Sequence, residues 1–415
     1  MSGQVIVIGG GVIGASCAYY LSKAGWSVTV LDRGEFGMGC SHGNCGFVCP
    51  SHVLPLTVPG AVRTALKGLL SRNAPFSIKP RLDPTLWAWL VRFARRCNVA
   101  DMMEAGHALH ALLNSSRSLY DQLMKDEPFD CEWQPRGMLV VFLHKEAMEH
   151  HAQTDRLLRE SFDMGAERYD GDRLTEVEPA LKPGLAGGWF YKSDAHLRPD
   201  KLMSSWRRVL EAHGVTIRER CEVTGLVREH GRARAVVTGQ GEVAADVFVV
   251  ATGAWTPRLN ADLGCRVPIQ PGKGYSITMP RPATCPTMPL IFDEHRVAVT
   301  PWASGYRLGS TMEFAGYDTS LSRKRLELLR EGAKPYLHEP YCEPVLEEWY
   351  GWRPMTSDSK PIIDRSPALG NVLIAAGHNM IGVATATATG KLVAEMLGGD
   401  RPHLDPAPFA VSRFS

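Results

Sequence analysis

The ten cysteines of this 415-residue sequence form no CxxC pair and no regular framework. That absence argues against disulfide stapling and for a reducing, cytoplasmic setting. No uninterrupted apolar run reaches 18 residues, so no membrane-spanning helix is expected. An excess of one charge is missing too. The 46 Lys and Arg nearly balance the 44 Asp and Glu, and a net +2 gives no global reason to expect a nucleic-acid partner. There is no internal repeat and no low-complexity tract. The apolar opening, Val5–Leu21, lacks the basic n-region of a signal peptide and is interrupted by Gly9, Gly10, Gly11 and Gly14. It reads as a strand, a turn and a helix that stay in the mature protein. What remains is an ordinary globular composition, 44% hydrophobic and 22% charged, long enough for two domains or one elaborated one.

The chain opens with a strand, Gln4–Ile8, a glycine turn, a helix from Val12 to Ala24 and a strand, Ser27–Leu31. This βαβ order predicts a parallel pair with a right-handed crossover. Gly34 to Pro59 is rich in Gly, Cys, His and Pro and reads as a long ordered loop, a length that usually marks function. Helical periodicity follows over Met102–Lys125 and Lys145–Met164. Alternating strands are predicted at Val215–Arg218, Glu222–Val227 and Ala233–Val237, with turns at His230-Gly231 and Gly239-Gln240-Gly241. Val247–Val250 is short and wholly apolar, as expected of a strand buried on both faces. Proline-broken strands fill 266–312, and a helical stretch runs from Leu321 to Leu337. The end returns to a strand, Val372–Ala375, and a helix, Gly382–Met396. These pieces predict an α/β protein with a discontinuous Rossmann-like domain (1–75, 197–265 and 345–415). A second, mixed α+β domain on a largely antiparallel sheet would take 76–196 and 266–344.

Gly9-Gly10-Gly11-Val12-Ile13-Gly14 fits G-x-G-x-x-G between its strand and its helix. Gly9 permits the tight turn, Gly11 lets backbone approach a pyrophosphate, and Gly14 lets helix and strand pack closely. The helix N-terminus offers unpaired N–H groups to the anion. Asp32, followed by Arg33, closes the second strand 18 residues after Gly14, placed to accept bonds from a ribose hydroxyl. The motif by itself does not separate FAD from NAD.

Val247-Phe248-Val249-Val250-Ala251-Thr252-Gly253-Ala254-Trp255 is an apolar strand entering a small-residue turn, and Gly377-His378-Asn379-Met380-Ile381-Gly382 is a similar turn opening the last helix. With the opening motif, these elements resemble the D-amino-acid oxidase superfamily of FAD-dependent oxidoreductases, over nearly the whole chain. Lys273–Thr278, Glu313–Asp318 and Trp352–Asp358 carry a narrower resemblance, to the small flavin-bearing D-amino-acid dehydrogenases and D-hydroxyproline dehydrogenases. The resemblance implies FAD, held by the motif and by Cys40, Ser41, Asn44 and Gly46 of a loop that wraps the flavin. Val223, Ala251, Thr252, Gly253, Trp255, Gly377, His378, Met380, Ile381 and Gly382 complete the implied set. His42 and the nearby Cys40, Cys45 and Cys49 depart from the family pattern there.

The resemblance further implies oxidation of a D-amino acid Cα–N bond by hydride transfer to flavin N5, giving an imine that water converts to a 2-oxo acid and ammonia. Such a reaction asks chiefly for a carboxylate clamp, a task that suits arginine. Arg353, after Trp349-Tyr350-Gly351-Trp352 and before Pro354, is the candidate, against a structural ion pair or a cation–π contact. Tyr275 is the second, against half-buried packing on its strand. Lys273 and Arg307 read better as surface or structural charges. The helix opening near Gly382 should favour negative charge on reduced flavin by about 0.3–1 kcal/mol; His378 either adds to this or bonds backbone. Cys40, Cys45 and Cys49, with His42 and His52, match no metal-site spacing, so no metal is expected.

Residues 61–100 hold eight Lys or Arg and one acid, Asp83. Leu86, Trp89, Leu90 and Phe93 share one helical face, with Arg92, Arg95 and Arg96 towards the other. Such a segment suits an anionic membrane surface, or it packs on its domain with a solvated basic face. The resemblance makes a peripheral place on the inner membrane face and a quinone-type acceptor the expectation, with a homo- or hetero-oligomer open. A glycine- or sarcosine-type oxidase using oxygen, and a flavin-bearing subunit of a larger complex, are the alternatives.

Overall fold

The computed structural model describes residues 3–69 and 76–414. Its first strand, Gln4–Ile8, has Val5, Ile6, Val7 and Ile8 all buried, because both of its faces and both of its edges are covered. It pairs in parallel with Ser27–Leu31 and with Val247–Val250. Among the described residues six strands form this sheet, in the order 362–365, 372–376, 247–250, 4–8, 27–31, 216–218. Of these the edge strand Ile362–Arg365 runs antiparallel and the rest are parallel. Val5 and Val7 point into a core shared with the helices Val12–Lys23 and Gly382–Gly398. Those helices touch closely: a Cβ on Gly390 would lie 2.4 Å from Ser16 Oγ. Ile6, Ile8, Phe248 and Val250 point the other way, onto a core roofed by a three-stranded sheet at 223–244.

The other sheet has nine strands among the described residues. Its order is 347–355, 270–279, 305–314, 297–302, 290–292, 138–142, 187–191, 167–170, with Phe76–Ile78 added beside 305–314. Pairing is antiparallel except where 290–292 meets 138–142 and 76–78 meets 312–314. Met138–Phe142 is buried along its whole length. A short, uniformly apolar run of that kind carries no period, and the sequence reading missed it. The first sheet thus draws strands from both ends and the middle of the chain, and the second fills the intervals.

Part of the basic segment packs on its own domain, one of the two readings left open by the sequence. Helix Pro84–Arg96 starts at an Asp83 cap and buries Leu86 and Trp89 against Phe314 and Met355. Trp89 Nε1 donates to the Met355 carbonyl at 3.0 Å, and Leu90 and Phe93 pack beside it. The apolar stripe of this helix is therefore used by the fold. What it leaves in solvent is Trp87 and Val91, 55% and 52% exposed, and the preceding Leu82. Arg72, one of the eight basic residues, lies outside the described residues. No described helix is long and apolar enough to cross a membrane.

Candidate active site

A cavity of about 480 Å³ opens where the carboxyl ends of the parallel strands face the Glu347–Met355 strand of the large sheet. Open α/β sheets bind ligands at this end. The glycine turn forms its floor. Gly9 has φ +109°, and a Cβ there would lie 2.5 Å from the Ala251 carbonyl; one on Gly14 would lie 1.8 Å from the Gly9 carbonyl. Gly11 lines the cavity, and a Cβ there would meet Ser41 Oγ at 3.4 Å, so the bare backbone faces the space a phosphate would approach. Asp32 accepts from the Gly10 and Gly34 amides at 2.6 and 2.7 Å, which holds the turn and presents its carboxylate at the rim. Ser41 Oγ accepts from Val12 N at 3.0 Å, tying the 40–46 loop to the helix N-terminus.

The cavity brings together Gly9, Gly11, Val12, Ile13, Asp32, Arg33, Cys40, Ser41, Asn44, Val223, Ala251, Thr252, Gly253, Trp255, His378, Met380, Gly382 and Arg353. Four other expected contacts do not line it. Gly14 sits behind the turn, and Gly46 (φ +79°) accepts from Leu197 N at 2.9 Å, where a Cβ would run into the Leu197 carbonyl. Gly377 packs on Thr356, while Ile381 caps the last helix. Residues that sequence reasoning missed line it too: Glu222, Arg258, Asn379, Trp349, Tyr350 and Trp352. The aromatic run was noticed only as a flank of Arg353. Trp255 stands edge-on to Trp352 with centroids 5.4 Å apart, and the Arg33 guanidinium lies over the Trp255 ring at 4.6 Å. Tyr317 stacks on Trp255 and donates to the Ala254 carbonyl at 2.6 Å. This aromatic wall joins the two sheets.

His378 Nε2 lies 3.0 Å from Thr389 Oγ1, and burial pushes the ring down to about 3. It is neutral at working pH and adds no charge beside the Gly382 helix terminus. Asn379, with φ +51°, bonds Thr356, Ser359 and Gly377 and so pins this turn to the segment following Arg353.

The geometry separates the two substrate candidates. Arg353 Nη1 donates to the Thr311 carbonyl at 2.6 Å and Nη2 to the Ser310 carbonyl at 3.4 Å. No carboxylate among the described residues pairs with it, and burial lowers its pKa from the ordinary value. Tyr275 lies outside the cavity lining, 2% exposed, donating to Glu313 Oε2 at 2.8 Å. Lys273 is buried too, bonded to the Ser320 carbonyl and 4.4 Å from the Tyr350 ring. Arg307, 1% exposed, donates to Thr278 Oγ1 and to the His42 and Asn44 carbonyls, and also meets Glu347. His42 Nε2 reaches Glu347 Oε1 at 2.7 Å. The loop that departs from the family pattern is thus clamped by an Arg307–Glu347–His42 network. The cysteines diverge: Cys40 lines the cavity near Arg353, with burial pushing its thiol up to about 11, whereas Cys49 packs on Met138.

Close-packed glycines, an acid at the second strand end and two helix N-termini on one cavity define a dinucleotide-binding oxidoreductase fold, and the backbone nest fits the ADP half of FAD. A family profile described as FAD dependent oxidoreductase matches residues 4–396, and the chain belongs to that family, with FAD as its cofactor. It is 33% identical to a D-amino acid dehydrogenase of Xanthobacter autotrophicus, over 99% of both chains. Identity is also 33% to one of Chromohalobacter salexigens, over 99% of this chain and all of the relative. Among solved structures it resembles glycine oxidase from Geobacillus kaustophilus (TM-score 0.79, 21% identity, 99% of both chains). L-proline dehydrogenase from P. horikoshii is similar as well (TM-score 0.76, 20% identity, all of this chain and 98% of the other).

Proposed function

We propose that this enzyme oxidises D-amino acids, D-proline and hydroxyproline among them, to imino acids that water converts to 2-oxo acids. The observation that carries this reading is Arg353, a cation at the cavity wall whose described protein partners are two backbone carbonyls. A guanidinium so placed favours a ligand carboxylate, which it can grip with two parallel bonds. Full-length relatives named D-amino acid dehydrogenase support the choice of substrate. When bound, FAD supplies a two-electron acceptor for the hydride leaving Cα. Arg353 fixes the carboxylate and thereby the direction of the Cα–H bond. The Cys40 thiol stays protonated and His378 stays neutral, so neither adds an ionic charge next to the amine. The nest of Gly9 and Gly11, Asp32, Ser41, Trp255 and the Gly382 helix terminus would hold the cofactor.

The acceptor in this reading is a quinone-type molecule at a membrane surface. Support comes from the basic 61–100 segment and its exposed Leu66, Leu82, Trp87 and Val91. Arg81 of this segment donates to the Phe314 carbonyl, three residues along the chain from Tyr317, which stacks on the cavity-lining Trp255.

The test is an anaerobic visible titration of the flavoprotein with D- and L-amino acids, glycine, sarcosine and D-proline. Bleaching by D-amino acids and D-proline is expected. Bleaching by glycine or sarcosine alone, or by nothing, would overturn the assignment.

A further inference from the structure

Two costly features meet at one residue beside Arg353. Ser310 and Thr311 have φ of +117° and +49°, a left-handed pair in the middle of the Gly305–Phe314 strand. For a β-branched residue such as Thr311 this backbone is a genuine outlier. Thr311 is also 3% exposed, and its hydroxyl has no hydrogen-bond partner among the described residues. Glycine would carry neither cost. The strain falls where the pairing with Gln270–Met279 slips, between Lys273 opposite Glu313 and Tyr275 opposite Ser310.

The slip has a geometric product. Successive carbonyls of a regular strand point to opposite sides, yet here those of Ser310 and Thr311 both accept from the Arg353 guanidinium. On the facing strand, a Cβ at Gly274 would lie 2.4 Å from Arg353 Cζ, so only glycine leaves the guanidinium its place. Strain held at a site by its surroundings is a known form of pre-organisation.

We infer that the Ser310–Thr311 bulge and Gly274 form a socket that sets the orientation of Arg353 before substrate arrives, which makes Thr311 and Gly274 positioning residues. The inference rests on Arg353 binding the substrate carboxylate. It goes further in assigning that residue's geometry to a strained backbone rather than to an ion pair.

The experiment measures Kd for pyrrole-2-carboxylate and benzoate from the perturbation of the flavin spectrum, with thermal unfolding of the same holoenzymes. Wild type, Arg353→Ala, Thr311→Gly and Gly274→Ala are compared. The socket predicts that Thr311→Gly raises Tm, since both costs are relieved. It also predicts weaker carboxylate binding, by about tenfold, as the guanidinium loosens. Gly274→Ala should weaken binding at least as much. A higher Tm with unchanged Kd in Thr311→Gly would make the strain incidental and overturn the socket. A Tm that falls together with affinity would reduce Thr311 to a structural role and overturn it equally. If wild type binds and only Arg353→Ala loses binding, the socket fails while the carboxylate clamp stands. If wild type binds neither ligand, the clamp itself is refuted, and the socket with it.

Discussion

Two arginines of the large sheet face the same loop and differ in what answers their charge. Arg307 meets a threonine hydroxyl, two loop carbonyls and the Glu347 carboxylate, so its donors are used inside the protein. Arg353 meets two carbonyls on one edge and, among the described residues, no carboxylate. Residue type alone does not distinguish them. Their partners do: a buried cation with its counter-ion supplied holds structure, and on the function proposed above one without it among the described residues takes the substrate carboxylate.

The contrast can be broken by exchange of effects. Arg307→Ala removes the cation from a buried network and leaves the His42 and Asn44 carbonyls unpaired. Stability should fall by about 3–5 kcal/mol in a urea titration. A loss as small as a surface substitution gives would end the structural reading. Arg353→Ala should lose about 10²–10³ in kcat/KM for D-amino acids, with flavin retained and a smaller loss of stability than Arg307→Ala. If the two variants change stability alike and affinity alike, the distinction collapses.

Smaller effects sharpen it. His42→Gln keeps a donor for Glu347 but removes any full charge, so a loss of about 1 kcal/mol or less is expected, read as a shift in Tm. The last test concerns pH. Arg353 keeps its proton throughout the working range, and His378, pushed down to about 3, stays neutral there. Carboxylate affinity measured by flavin perturbation should therefore change less than about twofold between pH 6 and 8.5. Affinity that fades as pH rises through 7 would point to a histidine in place of Arg353. His378 also predicts acid sensitivity. A ring whose folded pKa lies below its unfolded 6.5 stabilises fully above 6.5 and loses that contribution as pH falls towards 3.

Much of this was legible because it is local. The strands Gln4–Ile8, Ser27–Leu31 and Val247–Val250 fall where the sequence pattern placed them. The glycine motif is readable for the same reason, since strand, turn and helix are contiguous. Illegible features depend on register. Tyr275 reaches Glu313 rather than the cavity through a slipped pairing that no spacing in the chain announces. Trp349 and Trp352 wall the cavity because their strand crosses it, a fact of tertiary placement. The amphipathic reading of 84–96 found the right stripe and left open what covers it; Phe314 and Met355, more than 200 positions away, do so.

The cavity lining runs from Ile8 to Val383, and this bears on how the protein is made. A chain leaving the ribosome can fold its first βαβ unit early, but the nest of Gly9 and Gly11 is one side of an open crevice until the final helix packs on the first. Tight retention of FAD therefore requires both the opening turn and the Gly382–Gly398 helix to be in place, so nearly the whole described chain must have emerged before the crevice is complete.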